Sequence, residues 1–311
     1  MSAEPTVSLV DPGDDAALDE LLAFAARTGL PRATTAAAYR DLVRTCDDWS
    51  GFVARDGAGG ELRAVALATV DPAIGRDQVQ LNAFLEPGAQ SAFDAVLNAV
   101  AAWARMHGAG SATAHVSDPT EDDLVAWQAA GFAQVGERAK VVLDLGDADR
   151  DRTVPDVPGV SITSLAERPD LLEAAGALWR TGLGDVPSEL RFRPDEVPGL
   201  DEELQAVGDR AHVLLAVDDD TGDLAGFALL IRTRDRMVAG HRMTATARAW
   251  RGRGIGLALK VAAIRWAAAN GITRLQASND SANAPMRAIN DRLGYELEYR
   301  LVLLRRAFPA E

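Results

Sequence analysis

The sequence predicts an α/β protein made of two tandem copies of one domain, each a mixed sheet flanked by helices. Segment 97–116 resembles 260–279, and 127–132 resembles 290–295, both at a separation of 163 residues. Repetition at one fixed offset is the signature of a duplicated structural unit. Short runs of alternating apolar residues lie between runs with helical spacing, and this pattern is typical of strands between helices.

The second copy shows the element order most clearly. Alternating apolar residues predict strands, and apolar residues spaced three and four apart predict helices. Proline-broken segment 184–199 is predicted to be a loop. The predicted elements are a strand at 160–165, a helix at 168–183, a hairpin at 212–233, a strand at 236–249, a helix at 255–270, a strand at 273–279, a helix at 283–294 and a strand at 297–305.

The boundary between the copies is predicted from composition. Segment 146–159 is charged, contains prolines and has no apolar periodicity, which is typical of a linker. The sequence therefore predicts a first domain at 1–148, a linker at 149–158 and a second domain at 159–311.

Composition excludes several classes of protein. The formal net charge of −14 argues against nucleic acid as a partner, because phosphate binding depends on lysine and arginine. A single cysteine and four scattered histidines predict neither a disulfide framework nor a metal site. The sequence has neither an apolar run of roughly 20 residues nor a signal-peptide pattern. We therefore expect a cytoplasmic protein that does not bind membranes.

The stretch TARAWRGRGIGLALK, residues 246–260, combines glycines, arginines and the start of a predicted helix. Gly252, Gly254 and Gly256 alternate with other residues, and Arg251 and Arg253 add positive charge. The amides of a first helical turn have no partner within the helix, and the helix dipole attracts anions there. Glycine permits positive φ and close approach to a ligand. These features together predict a phosphate-binding turn.

Two nucleotide-binding patterns do not fit this turn. The P-loop requires a lysine and a hydroxyl residue after its last glycine, and neither follows here. The dinucleotide fingerprint requires a third glycine where this chain has Leu257. The turn also follows a late strand of its domain rather than the first one.

The pattern R-x-x-G-x-G, filled by Arg251, Gly254 and Gly256, resembles the acyl-CoA loop of GCN5-related N-acetyltransferases. A second motif, 278–295, is similar to the fifth strand, asparagine-bearing loop and following helix of that family. The whole chain resembles the tandem two-domain members from actinobacteria. The resemblance implies a mostly antiparallel twisted sheet in each domain and acetyl-CoA as the cosubstrate.

The resemblance also implies which residues hold acetyl-CoA. Asn279 and Asn283 would lie near the pantetheine arm, although Asn283 before Pro285 also fits a helix N-cap. The remaining implied contacts are Thr244, Ala245 and Thr246 with pantetheine, and Arg251, Gly252, Arg253, Gly254, Ile255, Gly256 and Leu257 with the pyrophosphate.

The first copy lacks the loop. The offset places Gly88, Ser91 and Phe93 opposite the residues of the R-x-x-G-x-G pattern, and it puts Thr120 and Trp127 opposite Asn283 and Asn290. An aspartate at the predicted helix start, residue 94, repels phosphate. We therefore expect the first domain to keep the fold without binding the cofactor. Binding of a different ligand there is a less favoured alternative.

The catalytic residues are less clearly indicated. Many family members have a tyrosine acid where this chain has Asn290. Asparagine does not titrate, but Asn290 can donate a hydrogen bond to the sulfur or to the cofactor. Tyr295 is a candidate replacement, and His241, on the strand that leads to the loop, is the first candidate for the base. His212, Asp280 and Glu298 remain open as alternative bases, and Tyr299 as an alternative acid.

These features predict an acetyl-CoA-dependent N-acetyltransferase that acts on a small amine, with aminated natural products or antibiotics as one class. Asp185 and Glu189 are the candidate residues that bind the cationic amine. Transfer of another acyl group such as succinyl is one alternative, and a non-catalytic acyl-CoA-binding scaffold is another. The sequence leaves open whether the protein is a monomer or a homodimer.

Overall fold

The computed structural model describes residues 4–30, 35–43, 46–71, 75–186, 197–233 and 236–308 of the 311-residue chain. The described residues form two compact units. The first contains the chain up to Glu137 and again from Arg300 onward, and the second runs from Arg138 to Tyr299. Each unit is a mixed sheet with helices packed on both faces. The predicted α/β fold class is confirmed.

The sheet of the first unit is antiparallel except for one pair. Its strand order is β1-β2-β3-β4-β5-β12, and only β4 and β5 are parallel. The elements that enter this unit are β1 Pro5–Val10, α1 Asp15–Thr28, α2 Ala36–Leu42, β2 Asp48–Asp56, β3 Leu62–Val70, β4 Gln78–Leu85, α3 Gln90–Met106, β5 Ser111–Ser117, α4 Glu121–Ala129 and the end of β12 Glu296–Ala307.

The sheet of the second unit repeats this plan. Its strand order is β6-β11-β10-β9-β8-β7, and β10 and β11 are its parallel pair. Its elements are the end of β6 Ala133–Asp144, β7 Val160–Ser164, α5 Leu172–Asp185, α6 Leu200–Val207, β8 Ala211–Asp218, β9 Leu224–Arg232, β10 Val238–Thr246, α7 Ile255–Ala269, β11 Arg274–Asp280 and α8 Ala284–Leu293. Helix α6 was not predicted from the sequence.

Amphipathic periodicity explains how the helices attach to the sheets. On α1 the buried positions include Leu18, Leu21, Leu22 and Ala25, which share one helical face. They pack with residues of β1, β2 and β3 in one core, while α3 covers the opposite face of that sheet. In the second unit α5 and α7 occupy the corresponding opposite faces. Each unit therefore has two apolar layers with the sheet between them.

The structure repeats at the offset that the sequence indicates. Strand β5 at 111–117 corresponds to β11 at 274–280, and β6 at 133–144 corresponds to β12 at 296–307, each 163 residues apart. Helices α4 and α8 also begin 163 residues apart. The duplication is therefore visible in the element boundaries as well as in the sequence.

The strand that closes each sheet is not the strand that the predicted domain division assigns to that domain. In the first unit, Leu301–Ala307 of β12 pair antiparallel with β5. In the second, Arg138–Asp144 of β6 pair antiparallel with β11. Each unit thus takes its closing strand from the other copy in the sequence, whereas the predicted division at 1–148 and 159–311 gives each copy its own. The two strands have the same alternating pattern, so periodicity does not distinguish them.

Part of the segment predicted as a linker packs within the second unit. Asp149 accepts hydrogen bonds from the Gly146 amide at 2.7 Å and from Arg152 Nε at 2.5 Å. Arg152 also donates to the Leu293 carbonyl at 3.3 Å, and Val157 is buried in the α7 core. Charged and proline-rich composition is therefore not a sign of a free linker here.

None of the helices in the described part of the chain is both long enough and apolar enough to cross a membrane.

Candidate functional site

The glycine turn opens directly into α7. Gly254 is the N-cap of that helix with a φ of 88°, and Gly252 has a φ of 79°. Most other residues would be strained in this left-handed conformation, so the turn depends on its glycines. The first turn of α7 contains no acidic residue, and no side chain caps it. Its amides are therefore available to an anion.

Gly256 leaves room beside the turn. A Cβ added there would lie 3.5 Å from Ile289 Cδ1 and 3.9 Å from Thr246 Oγ1. A longer side chain would project into the space between α7 and α8. Glycine at this position therefore keeps that space open.

The arginines near the turn have specific partners. Arg251 donates to the Thr246 carbonyl from Nε at 3.1 Å and to the Asp185 carboxylate from a terminal nitrogen. Arg248 donates to the same carboxylate at 2.6 Å. Hydrogen bonds from Arg248 and Arg251 lower the pKa of Asp185 to about 2. Arg253 instead lies over the Trp250 ring, 4.6 Å from its centroid.

The predicted role of Asp185 as a binder of the cationic amine does not fit this arrangement. Its carboxylate is already paired with two guanidinium groups at the end of α5. The other predicted amine-binding residue, Glu189, lies outside the described residues.

A cavity of about 820 Å³ extends from the glycine turn between β10 and α8. Most of the residues predicted to hold acetyl-CoA line it, whereas Arg253 does not. These lining residues are Thr244, Ala245, Thr246, Arg251, Gly252, Gly254, Ile255, Gly256, Leu257 and Asn283.

A second cavity, of about 280 Å³, lies where β10 and β11 separate. The two strands pair only from Val238 to Gly240, and a bulge interrupts β10 between His241 and Met243. Such a bulge redirects a strand and breaks its ladder. The cavity shares lining residues with the larger one, including Met243, Thr244 and Asn283, so the two cavities lie next to each other.

Four polar side chains form a cluster beside the smaller cavity: the half-buried His241 and the buried Lys260, Asn290 and Tyr295. Lys260 and Asn290 are each 1% exposed, and Lys260 Nζ donates to Asn290 Oδ1. The same ammonium lies 4.5 Å from the centroid of the Tyr295 ring. His241 Nε2 and the Tyr295 hydroxyl share a hydrogen bond of 2.7 Å. His241 and Lys260 both line the cavity.

Burial shifts the pKa values of this cluster strongly. It lowers the pKa of Lys260 to about 7. It also lowers the pKa of His241 well below its usual range, with a smaller contribution from the Lys260 charge. The pKa of Tyr295 is raised by burial. These directions follow from the cost of placing charge in a low-dielectric site. His241 and Tyr295 are therefore neutral near pH 7, while Lys260 titrates there.

The other predicted site residues are distributed around this space. Asn279 and Asp280 line the smaller cavity, where Asp280 is 6% exposed and its Oδ2 is unpartnered among the described residues. His212 stacks on Trp266 at 3.9 Å and lines a different groove. Glu298 lines neither cavity and lies 4.0 Å from Arg274. Of the alternative bases, only Asp280 therefore reaches the cavity.

Asn283 both caps a helix and lines the proposed cofactor space, which are the two roles that the sequence left open. Its side chain caps α8 by accepting from the Met286 amide at 3.3 Å, and it lines both cavities. Its counterpart Thr120 caps α4 and accepts from the Asp123 amide at 3.1 Å. Each copy thus has its own N-cap residue at the equivalent position.

The first unit fills the corresponding space with apolar side chains. Phe93, opposite Gly256, is fully buried and lies 4.9 Å from the Trp127 ring. Trp127, opposite Asn290, packs 4.7 Å from Phe132, which stands opposite Tyr295. Leu97, 2% exposed, occupies the position of Lys260. The fold therefore forms without the polar cluster.

Sequence reasoning missed Lys260 and Arg138 as members of the site. Arg138 on β6 lines the smaller cavity, and burial lowers its pKa while the Asp280 charge raises it. One signal pointed to Lys260: it is one of only two lysines among 32 basic residues, and it interrupts an apolar helix. No comparable signal marked Arg138.

Comparison with known proteins finds a family model that matches part of the second unit. Residues 180–295 match the model of the acetyltransferase (GNAT) family. No curated protein sequence matches the chain at a significant level.

Three solved structures illustrate the similarity of fold. A tandem GNAT protein from the clavulanic acid biosynthesis pathway is 22% identical with a TM-score of 0.73, covering 99% of this chain and 100% of that one. A GCN5-related N-acetyltransferase from Sphaerobacter thermophilus is 19% identical with a TM-score of 0.69, covering 99% and 97%. One from Kribbella flavida is 18% identical with a TM-score of 0.54, covering 88% and 93%. Residues 180–295 of the second unit therefore match the GNAT family model, and the fold of the whole chain is similar to that of a tandem GNAT protein.

Proposed function

We propose that the second unit transfers an acetyl group from acetyl-CoA to the amine of a small molecule. One observation carries the proposal: the two adjacent cavities have a glycine-rich helix start at one end and a buried polar cluster at the other. The first end suits a pyrophosphate, and the second suits a reaction that moves a proton.

The residues of the larger cavity fit the parts of acetyl-CoA. The amides from Gly252 to Leu257 would hold the pyrophosphate, and Arg251 would add a charge-assisted contact. The end of β10, at Thr244 to Thr246, would offer backbone groups to the pantetheine arm. The bulge after His241 would leave the reacting end of the cofactor beside the smaller cavity.

The smaller cavity is the proposed acceptor site. Its wall contains the unpartnered Asp280 oxygen, which suits an ammonium or amine nitrogen better than the paired Asp185 carboxylate does. A buried acceptor atom without a partner favours ligands that donate a hydrogen bond to it. We therefore transfer the predicted amine-binding role from Asp185 to Asp280.

The first unit is proposed to bind no acyl-CoA at the equivalent place. The Phe93 and Trp127 rings occupy the positions of Gly256 and Asn290. The two packed aromatic rings stabilise the core of that unit. Because Phe93 replaces the glycine, the corresponding helix start has no glycine at this position. Its proposed role is structural.

The activity is tested by thiol release from acetyl-CoA with a panel of small amines that includes polyamines, amino sugars and aminated natural products. Mass spectrometry should show a gain of one acetyl group on the acceptor. Faster release from succinyl-CoA would favour the alternative acyl group. Binding of acetyl-CoA without turnover on any amine would favour the non-catalytic alternative and contradict the proposal.

Variants of two helix-capping residues distinguish an effect on stability from an effect on cofactor binding. Asn283→Ala and Thr120→Ala should each lower the free energy of unfolding by about 1 kcal/mol, because each removes one N-cap bond. Only Asn283→Ala should weaken acetyl-CoA binding, since only Asn283 lines the proposed cofactor space. Thermal unfolding and calorimetric titration of both variants check this. Equal weakening by both would argue against the assigned cavity.

A further inference from the structure

We propose that Lys260 is the proton-transfer residue of this site, serving first as the base for the attacking amine and then as the acid for the leaving thiolate. This inference rests on the proposed acetyl transfer. It replaces His241 as the candidate base and Tyr295 as the candidate acid.

The position of Lys260 is the first support. Its ammonium is buried between α7, α8 and the start of β12, and the side chain also forms part of the smaller cavity wall. Asn290 Oδ1 and the Tyr295 ring hold the nitrogen at this place. A lysine is almost never fully buried without a charged partner, and the described residues provide none.

The internal duplicate is the second support. Leu97, Trp127 and Phe132 stand where the second unit has Lys260, Asn290 and Tyr295, and the first unit packs tightly with them. The fold therefore does not require a lysine here. A costly buried ammonium appears only in the unit with the glycine turn, which connects it to the proposed chemistry.

The surrounding groups favour a lysine that exchanges protons near neutral pH. The titratable and charged groups around it are His241 on β10 and Tyr295 ahead of β12, with Arg138 on β6 and Asp280 on β11 in the same cavity wall. Burial lowers the pKa of Lys260 to about 7, whereas the pKa of His241 lies too low for it to hold a proton there. A catalytic acid–base group works best when its pKa is near the working pH.

The proposed steps balance in protons and electrons. The acceptor nitrogen attacks the thioester carbon, and neutral Lys260 Nζ takes the proton that this nitrogen loses. The carbon–sulfur bond then breaks, and the electron pair leaves with sulfur. Lys260 returns the proton to the thiolate, so the products are an N-acetyl amide and free CoA thiol, and Lys260 is neutral again.

Two substitutions test this role. Lys260→Met removes the proton-transfer group, and Leu97 shows that an apolar residue is tolerated at this position of the fold. Lys260→Arg keeps the charge but does not deprotonate in this range. We expect both to lower kcat on a reactive amine by about 10²–10³-fold. Affinity for acetyl-CoA should stay within about threefold, and the rise of kcat/KM through pH 7 should disappear in both.

A direct titration complements the kinetics, because the chain has only two lysines, Lys140 and Lys260. Protein labelled with carbon-13 at the lysine Cε should give two signals, and Lys140→Arg assigns them. The Lys260 signal should titrate near pH 7. Titration above pH 9, rescue of kcat by Lys260→Arg, or a Lys260→Met variant with near wild-type kcat would each overturn the inference. Absence of both acetyl-CoA binding and turnover in the wild-type protein would instead overturn the proposed function.

Discussion

Replacing Gly254 with aspartate should reduce acetyl-CoA affinity by at least about 100-fold. Gly254 is the N-cap of α7, and the residues that follow it line the larger cavity, where they would offer their amides to the proposed pyrophosphate. A carboxylate there would accept those amides and repel the phosphates across a few ångströms. Calorimetric titration with acetyl-CoA at fixed ionic strength measures the change.

The matched control is Gly254→Asn. Asparagine and aspartate both tolerate the left-handed conformation of residue 254, where φ is 88°. The asparagine variant should therefore lose no more than about tenfold in affinity, since it adds no charge. Similar losses in both variants would show that shape alone, and not phosphate electrostatics, governs the turn.

Lys260→Met should make the protein more stable at pH 7, by about 2 kcal/mol. Burial lowers the pKa of Lys260 to about 7 from its ordinary 10.5, and each unit of such a shift corresponds to about 1.4 kcal/mol. The loss of the hydrogen bond to Asn290 offsets part of the gain. Urea unfolding of the wild-type protein and the variant at several pH values measures the difference.

The stability difference between the wild-type protein and Lys260→Met should change with pH in a direction that follows from the lowered pKa of Lys260. Between pH 7 and about 10.5 the unfolded chain holds the Lys260 proton while the folded chain has lost it, so raising the pH favours folding. The stability advantage of Lys260→Met should therefore shrink from pH 7 towards pH 9.5. Lys140→Met, at the chain's other lysine, provides the comparison. If Lys260→Met leaves the slope of the unfolding free energy against pH unchanged, this result would contradict the lowered pKa of Lys260.

Local patterns predicted the two helix starts that border the candidate site. The start of α7 at Ile255 follows from three glycines and the apolar run after them, and the cap of α8 follows from Asn283 before Pro285. These signals depend on backbone conformation within a few residues, so one stretch of sequence is enough to read them. Most of the residues implied by the resemblance line the larger cavity, and their roles in binding stay predictions.

Features that depend on distant residues were not predictable in this way. Asp185 pairs with Arg248 and Arg251, which lie 63 and 66 residues further along the chain. The sequence alone therefore wrongly suggested that its carboxylate is available to bind an amine. The exchange of closing strands depends on which of two similar strands reaches β5 or β11. Burial of Lys260 depends on the packing of α8 and Tyr295 against α7. Periodicity describes one element at a time and does not report such contacts.

The number of acetyl-CoA molecules bound per chain tests most directly whether only the second unit holds the cofactor. Isothermal titration of the wild-type protein should give one site per chain. Ser91→Asp, at the first-copy position opposite Gly254, should keep that site with unchanged affinity, and Gly254→Asp should remove it. Two sites per chain, or loss of the single site in Ser91→Asp, would contradict this account.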